Sequence, residues 1–223
     1  TRATSSDSPV RVVFLGTPAF AVPSLEQLVA SRHEVVAVVT NPDRGAGRGR
    51  KLRPTPVKTV AAALGLPLLQ PESPRDARLA EQLAALQPDA FAVVAFSLLP
   101  RKLLAVPRLG SVNVHPSLLP AYRGAAPIIW ALFDGCEQTG ISTFLLNPKM
   151  DAGDILLQER VAISIEETAG ELEARLAVDG ADLLVRSLDG LQEGSIAPRK
   201  QAVDGATRAP KLSREDGRLD WRW

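Results

Sequence analysis

Apolar positions along the chain alternate between two kinds of segment. Residues 10–15 form a continuous apolar run broken only by Arg11, and the run ends at Gly16-Thr17-Pro18. Such a run predicts a parallel strand buried on both faces. From Phe20 onward, Val22, Leu25, Leu28 and Val29 recur at helical spacing, and residues 35–39 are apolar again. This is a strand–helix–strand unit with the right-handed crossover such units take. Further along, the pattern predicts helices over 56–64 and 76–86, the latter with Leu79, Leu83 and Leu86 inward. It predicts a short strand at 67–69, and over 90–96 a buried strand placed at the sheet centre. A turn and short helix over 97–104 follow, then a strand over 111–115 and a helix over 125–133. Strands at 141–146 and 155–161 flank a loop over 147–154. Thr168 and Glu171 have the spacing of a capping box and open a long helix to about Leu191, with Leu172, Leu176, Leu183 and Leu184 buried. The alternation predicts an α/β fold, a doubly wound, mostly parallel Rossmann-like sheet over 10–197. Residues 1–9 are small and polar and are expected to be a disordered leader. Residues 198–223 read as an extended tail or linker ending on Trp221-Arg222-Trp223, a docking tail or a cut before another domain. No internal repeat is present.

Composition narrows this picture. The chain has 223 residues, 45% of them hydrophobic, which suits one large soluble domain. No apolar run reaches the roughly 18 residues of a membrane span, so no membrane partner is expected. One cysteine, Cys136, excludes an internal disulfide, reads as ordinary, and suits a reducing cytoplasmic setting. Two histidines and one cysteine leave no basis for a His/Cys metal cluster, and no metal is expected. His33, between helix and strand, reads as a packed histidine. The net charge of +1 conceals an asymmetry: Arg44, Arg48, Arg50, Lys51, Arg53 and Lys58 stand against Asp43 alone in residues 41–58. Gly45, Gly47 and Gly49 are interleaved with these cations. The stretch is expected to be a mobile basic loop, either an arm for a polyanion or a solvated charge run.

Three nucleotide and hydrolase motifs are missing. The turn after the first strand, GTPAF, is not G-x-G-x-x-G; no G-x-x-x-x-G-K-[ST] occurs; and there is no G-x-S-x-G elbow. The informative stretch is GSVNVHPSLLPAYRGAAP, residues 110–127. In a strand over 111–115, Asn113 and His115 share a face, and Pro116 stops the ladder. An amide and an imidazole at the carboxyl end of a strand stand where open α/β sheets bind ligands. Asp151 and Asp154 lie on the loop two strands away. Asn, His and Asp together can run acyl transfer to an amine: amide and imidazolium stabilise an oxyanion, and the carboxylate sets the histidine's state. The same residues also read as a hydrogen-bonded core histidine and a turn-forming aspartate.

The motifs themselves carry a resemblance. Asn113-Val-His115-Pro-Ser-Leu-Leu-Pro120 with Tyr122-Arg-Gly-Ala-Ala-Pro127 resembles the signature of folate-dependent formyltransferases, and Met150-Asp151-Ala-Gly-Asp154-Ile resembles their second signature. The resemblance implies catalytic roles for Asn113, His115 and Asp151. It implies folate contacts at Ser117, Leu118, Leu119 and Pro120, and 10-formyltetrahydrofolate as cosubstrate. Asn41-Pro-Asp-Arg-Gly-Ala-Gly-Arg-Gly-Arg-Lys-Leu52 and Lys211-Leu-Ser-Arg-Glu-Asp-Gly-Arg-Leu-Asp220-Trp221 resemble the branch that formylates initiator methionyl-tRNA in translation initiation. There Arg44, Arg48, Arg50, Lys51 and Arg53 would meet tRNA. Phe20 would receive the methionine side chain, or else simply pack its helix. The implied protein is a monomeric one-carbon transferase, represented by its N-terminal catalytic part without the family's C-terminal β-barrel domain. Siblings acting on glycinamide ribonucleotide or an amino-sugar nucleotide would share the three catalytic residues, and a non-catalytic folate- or RNA-binding fragment is the reading from another class. Two departures stand out. Ser97 replaces the usual Gly after the central strand, and Gly45 replaces the usual Pro in the basic loop, where it is expected to loosen the chain.

Overall fold

A computed structural model describes residues 8–46 and 51–218. In chain order the elements are β1 (Arg11–Gly16), α1 (Val22–Ala30), β2 (Glu34–Val39), β3 (Arg44–Ala46), β4 (Lys51–Arg53), α2 (Pro56–Ala63), β5 (Leu68–Leu69), α3 (Ala77–Ala85) and β6 (Ala90–Val94). There follow α4 (Arg101–Leu104), β7 (Ser111–His115), β8 (Arg123–Gly124), α5 (Pro127–Phe133), β9 (Gln138–Leu145), β10 (Ile155–Ala162), α6 (Ala169–Glu193) and β11 (Arg208–Ala209). The main sheet has seven strands in the order β10-β9-β7-β6-β1-β2-β5, with β6 in the middle as its continuous burial predicts. The pairs β7–β6, β6–β1, β1–β2 and β2–β5 are parallel, and β9 adds antiparallel pairs to β7 and β10.

Both faces of the sheet are covered because its strands are apolar on both. Val12 and Phe14 of β1 pack with α1, α2 and α6, while Val13 and Leu15 of the same strand pack with α3 and α4. This is the doubly wound arrangement. The helix α6 begins where the capping box requires. Thr168 Oγ1 accepts the Glu171 N–H at 3.3 Å, Glu171 Oε2 accepts the Thr168 N–H at 2.9 Å, and Gly194 closes the helix with φ +71°. Gly180 lets α6 approach β7, since a Cβ there would lie 2.8 Å from Val114 Cγ1. The strand that carries Asn113 and His115 is thereby supported along its opposite face.

Two expectations need correction. Residues 44–46 and 51–53 are not unpaired: β3 and β4 form a two-stranded antiparallel ladder with Arg44 opposite Arg53 and Gly45 opposite Leu52. Pairing gives the arms' backbone groups partners. The base of the hairpin is fixed by Lys58, whose ammonium lies 2.6 Å from Asp43 Oδ2, and by Gln70, which donates to Asp43 Oδ1 and the Asn41 carbonyl, each at 2.9 Å. The lysine and the Gln70 amide hold the Asp43 carboxyl below its usual range. Arg48 and Arg50 lie outside the described residues, as do residues 1–7 of the expected leader and the two terminal tryptophans. The second correction concerns the tail. Residues 199–210 do not extend away from the domain. Arg199 bridges to Ile155, and β11 pairs in parallel with β8, so this segment is a strap laid back over the sheet's loops.

His33 packs as expected. Its Nδ1 accepts the Val10 N–H at 3.3 Å, and its Nε2 stands 3.4 Å from Asp189 Oδ1 with no exposed side-chain surface. Burial pushes its pKa below the ordinary 6.5; the Asp189 carboxylate pulls it up, the Arg32 guanidinium pushes it further down, and the nearby Val185 backbone pulls it up. The unfolded chain therefore binds this proton more readily than the folded one. The resulting stability is fully present above pH 6.5 and is lost as pH falls through the folded value. His33→Asn, which keeps an acceptor for Val10, is expected to lose less stability than wild type between pH 7 and pH 5. Urea midpoints of both proteins across that interval check this.

Candidate active site

The carboxyl ends of β1, β6 and β7 open onto two adjoining cavities. The larger, of about 470 Å³, is lined by Pro18, Phe20, Ala95, Asn113, His115, Ile128, Ile129, Asp151 and Glu173 among others. The smaller, of about 330 Å³, is lined by Val93, Ser97, Leu98, Leu99, Leu104, Leu146, Asn147 and Met150. Phe96, Asn113, Gly124, Ala125 and Asp151 border both. An amide and a carboxylate thus stand on the wall common to two chambers. This is where ligands bind in an open parallel sheet.

His115 ends β7 and is only 5% exposed, with its ring edge-on to Phe144 at 6.5 Å. Its Nε2 lies 2.9 Å from the Tyr122 carbonyl. A carbonyl can only accept, so Nε2 carries the proton and the neutral ring keeps its lone pair on Nδ1. Burial drives the His115 pKa down; the Asp151 carboxylate and the Tyr122 carbonyl oppose it. The imidazole is therefore neutral at rest near pH 7.

Asp151 sits in the loop between β9 and β10, in the left-handed region at φ +46°. Its Oδ2 accepts the Gly124 N–H at 2.8 Å. The loop is held internally by Asn147, which donates to the Ala152 carbonyl at 3.1 Å and accepts the Lys149 N–H at 2.8 Å. It is also sealed against the sheet. A Cβ on Gly153 would fall 1.6 Å from the Leu145 carbonyl oxygen, so only glycine fits.

The structure brings Asn113, His115 and Asp151 to one site. It takes the expected folate residues elsewhere. Ser117 and Leu119 are buried, and Ser117, Leu118, Leu119 and Pro120 border neither chamber. Ser117 Oγ donates to the Ala121 carbonyl at 2.7 Å, while Leu119 donates its N–H to Ser142 Oγ and accepts from Gln158 Nε2. These bonds fix the path from His115 to Tyr122. Ser97 does lie on the smaller chamber, and Phe20 on the larger. Arg44 and Arg53 are exposed on the hairpin, and Lys51 lies in β4. The sequence reading missed Tyr122 and Gly124 as functional groups. Both act through the backbone, so only their neighbourhood in the motif could have pointed to them. Among the described residues no group of three or more His, Cys, Asp and Glu side chains could hold a metal, and no helix is long and apolar enough to cross a membrane.

Residues 10–188 match the family model described as formyl transferase. The chain belongs to the formyl transferase family. It is 50% identical over 216 residues to a methionyl-tRNA formyltransferase of Frankia casuarinae, covering 95% of this chain and 64% of that protein. It is 49% identical over 213 residues to a methionyl-tRNA formyltransferase of Solibacter usitatus, covering 95% and 68%. The chain thus spans about two thirds of the length of these relatives. Among solved structures it resembles glycinamide ribonucleotide transformylase 1 from Symbiobacterium toebii, with TM-score 0.72 and 21% identity over 88% of this chain and 95% of that one. It also resembles an N-formyltransferase from Helicobacter canadensis, with TM-score 0.70 and 20% identity over 91% and 71%. These two likenesses concern the fold.

The electrostatic link between the two ionisable site groups is open to measurement. Asp151→Asn removes the charge that opposes burial, so the His115 titration midpoint is expected to fall below that of wild type. Nitrogen-15 NMR of the imidazoles checks this, with His33 as the one other histidine to assign. An unchanged or raised midpoint would contradict the proximity of the two groups.

Proposed function

We propose that this chain transfers a formyl group from 10-formyltetrahydrofolate to the α-amine of initiator methionyl-tRNA, for the initiation of translation in the cytoplasm. The observation that carries this reading is the pair of chambers meeting at Asn113 and Asp151. A transfer between two bound molecules needs that arrangement. The relatives at about 50% identity, all named methionyl-tRNA formyltransferase, favour the tRNA among possible acceptors. All three proposed catalytic groups come from one chain, which suits a monomer.

In this reading the smaller chamber takes the folate. Leu98, Leu104 and Leu146 offer apolar contact to a flat ring system and Asn147 an amide. Ser117, Leu118, Leu119 and Pro120 act instead as the frame of the His115–Tyr122 loop. The larger chamber takes the methionyl end, with Phe20, Ile128 and Ile129 around the thioether. The amine nitrogen attacks the formyl carbon, and the carbonyl electron pair moves onto oxygen. The Asn113 amide donates to that oxyanion. Neutral His115 takes the proton released by the amine at Nδ1, and the imidazolium then stands beside the oxyanion with Asp151 stabilising its charge. Collapse breaks the bond from the formyl carbon to folate nitrogen. The proton passes to that nitrogen, giving the formylated amine and tetrahydrofolate.

Arg44 and Arg53 stand directly opposite each other in the hairpin ladder. Like charges in that position destabilise the pair, and a phosphate between them would relieve it. This supports Arg44, Arg53 and, with them, Arg48, Arg50 and Lys51 as tRNA contacts.

The decisive assay offers 10-formyltetrahydrofolate with charged initiator tRNA, glycinamide ribonucleotide or an amino-sugar nucleotide. Formylation of the tRNA above the others is expected; preference for either nucleotide would replace this reading by a sibling activity. Asn113→Ala and His115→Ala are each expected to slow single turnover by about 10²–10³-fold with folate affinity unchanged. A rate for His115→Ala within a few-fold of wild type would remove its role. In a separate comparison, Arg53→Ala is expected to weaken tRNA use, most at low salt, and leave folate affinity as it is. An equal loss in both would detach the hairpin from RNA.

A further inference from the structure

The strap over residues 199–210 lies beyond the matched family segment, which ends at residue 188, yet it reaches both loops of the site. Arg199 exchanges both backbone hydrogen bonds with Ile155, at 2.7 and 2.8 Å. Thr207 accepts the Tyr122 N–H on its Oγ1 at 2.8 Å and the Arg123 N–H on its carbonyl at 2.9 Å. The Ala209 carbonyl crowds Gly124 so closely that a Cβ there would sit 2.3 Å from it.

Between these anchors, Gln201 has the central contacts. Its Nε2 donates to the carbonyl of Asp151 at 2.9 Å and to that of Gly153 at 2.8 Å. Its Oε1 accepts from both Nε and Nη2 of Arg123. Two carbonyls need two N–H donors, and one guanidinium edge needs an acceptor. A primary amide alone among side chains offers two donors and an acceptor oxygen on one planar group. Every hydrogen-bonding site of the Gln201 amide is used, and it joins the Asp151 loop to the residue before Gly124. Gly124 is the residue whose N–H holds the Asp151 carboxylate.

We propose that Gln201 is a positioning residue for the reaction: it binds the Asp151 loop and the Tyr122–Gly124 segment into one unit and so fixes the Asp151 carboxylate against His115. The kinetic part of this inference rests on the formyl-transfer reading; the geometric part does not. Gln201 touches no chamber, so its effect passes through Asp151. A misplacement of a catalytic group by about 1 Å can cost on the order of 10²-fold in rate.

The test is Gln201→Met, which keeps the length and neutrality of the side chain and removes all four hydrogen bonds. Asp151 and Glu173 are the carboxylates that line the chamber of His115, and Met adds no charge to them. Three quantities are read: the His115 imidazole midpoint by NMR, kcat, and KM for folate. The expected result is a lower His115 midpoint, because the opposing carboxylate is no longer held. A fall of about 10–10²-fold in kcat should accompany it, with KM for folate unchanged. A residue that only supports the fold would lower the melting temperature and leave the midpoint where it was. An unshifted midpoint together with wild-type kcat overturns the proposal. A shifted midpoint in a protein that formylates no substrate upholds the positioning and refutes the assigned reaction. Where Gln201→Met does not fold, Gln201→Asn takes its place, since it keeps the amide and is one methylene too short to reach Asp151, Gly153 and Arg123 together. A midpoint and kcat equal to wild type in that variant overturn the proposal equally.

Discussion

Asp151 has no rigid element beneath it. It stands on a loop, with its backbone in the left-handed region, and its carboxylate is fixed by the Gly124 N–H at 2.8 Å. That hydrogen bond joins two loops from different parts of the chain, and much of the surrounding structure serves to keep its ends in place. Gly153 lets the loop press against Leu145, where any side chain would collide. Gly124 lies under the Ala209 carbonyl in the same manner. Charge-assisted hydrogen bonds of this kind are short and directional, so they reward a donor whose position is set in advance.

His115 raises the complementary problem. A buried imidazole must have its N–H satisfied and its charge state controlled, or it destabilises the strand that carries it. The Tyr122 carbonyl answers the first need and fixes the tautomer. The second is a balance between burial, which favours the neutral ring, and Asp151, which favours the charged one. A group held between two opposing effects changes its protonation with little further expense when charge develops beside it. The sheet supplies the fixed point for this arrangement. β7 is paired to β6 and β9 along its length, and α6 presses on its other face at Gly180.

The layers of the fold were legible in the sequence because they depend on local patterning. Continuous apolar runs mark strands buried on both faces, as in β1 and β6, and Thr168 with Glu171 marks the start of α6. Edges were displaced by a few residues where local geometry intervenes. Ala95 turns to φ +46° and ends β6 before Phe96, and α5 starts at Pro127, two residues later than the apolar pattern. The shared face of Asn113 and His115 followed from the period of a strand. What the sequence could not convey depends on contacts between distant segments. Nothing in Ser117-Leu118-Leu119-Pro120 reveals that Ser142 and Gln158 will claim that segment for the interior. Polar residues 199–210 look like solvated tail because their partners are backbone groups some fifty to eighty-five positions earlier. The basic hairpin was visible as charge but not as a ladder, since its pairing follows from backbone hydrogen bonding and not from an apolar face.

The common wall of the two chambers has a kinetic meaning. Each chamber has exposed lining residues of its own, Ile129 and Glu173 in one, Leu98 and Met150 in the other. In the proposed reaction, a donor and an acceptor occupying them meet along the shared wall, whose polar side chains are Asn113 and Asp151, and each chamber keeps its own opening. Order of addition is then left open by the architecture, and both molecules must be present together for anything to happen. In the proposed reaction no side chain has to carry the transferred carbon between two half-reactions.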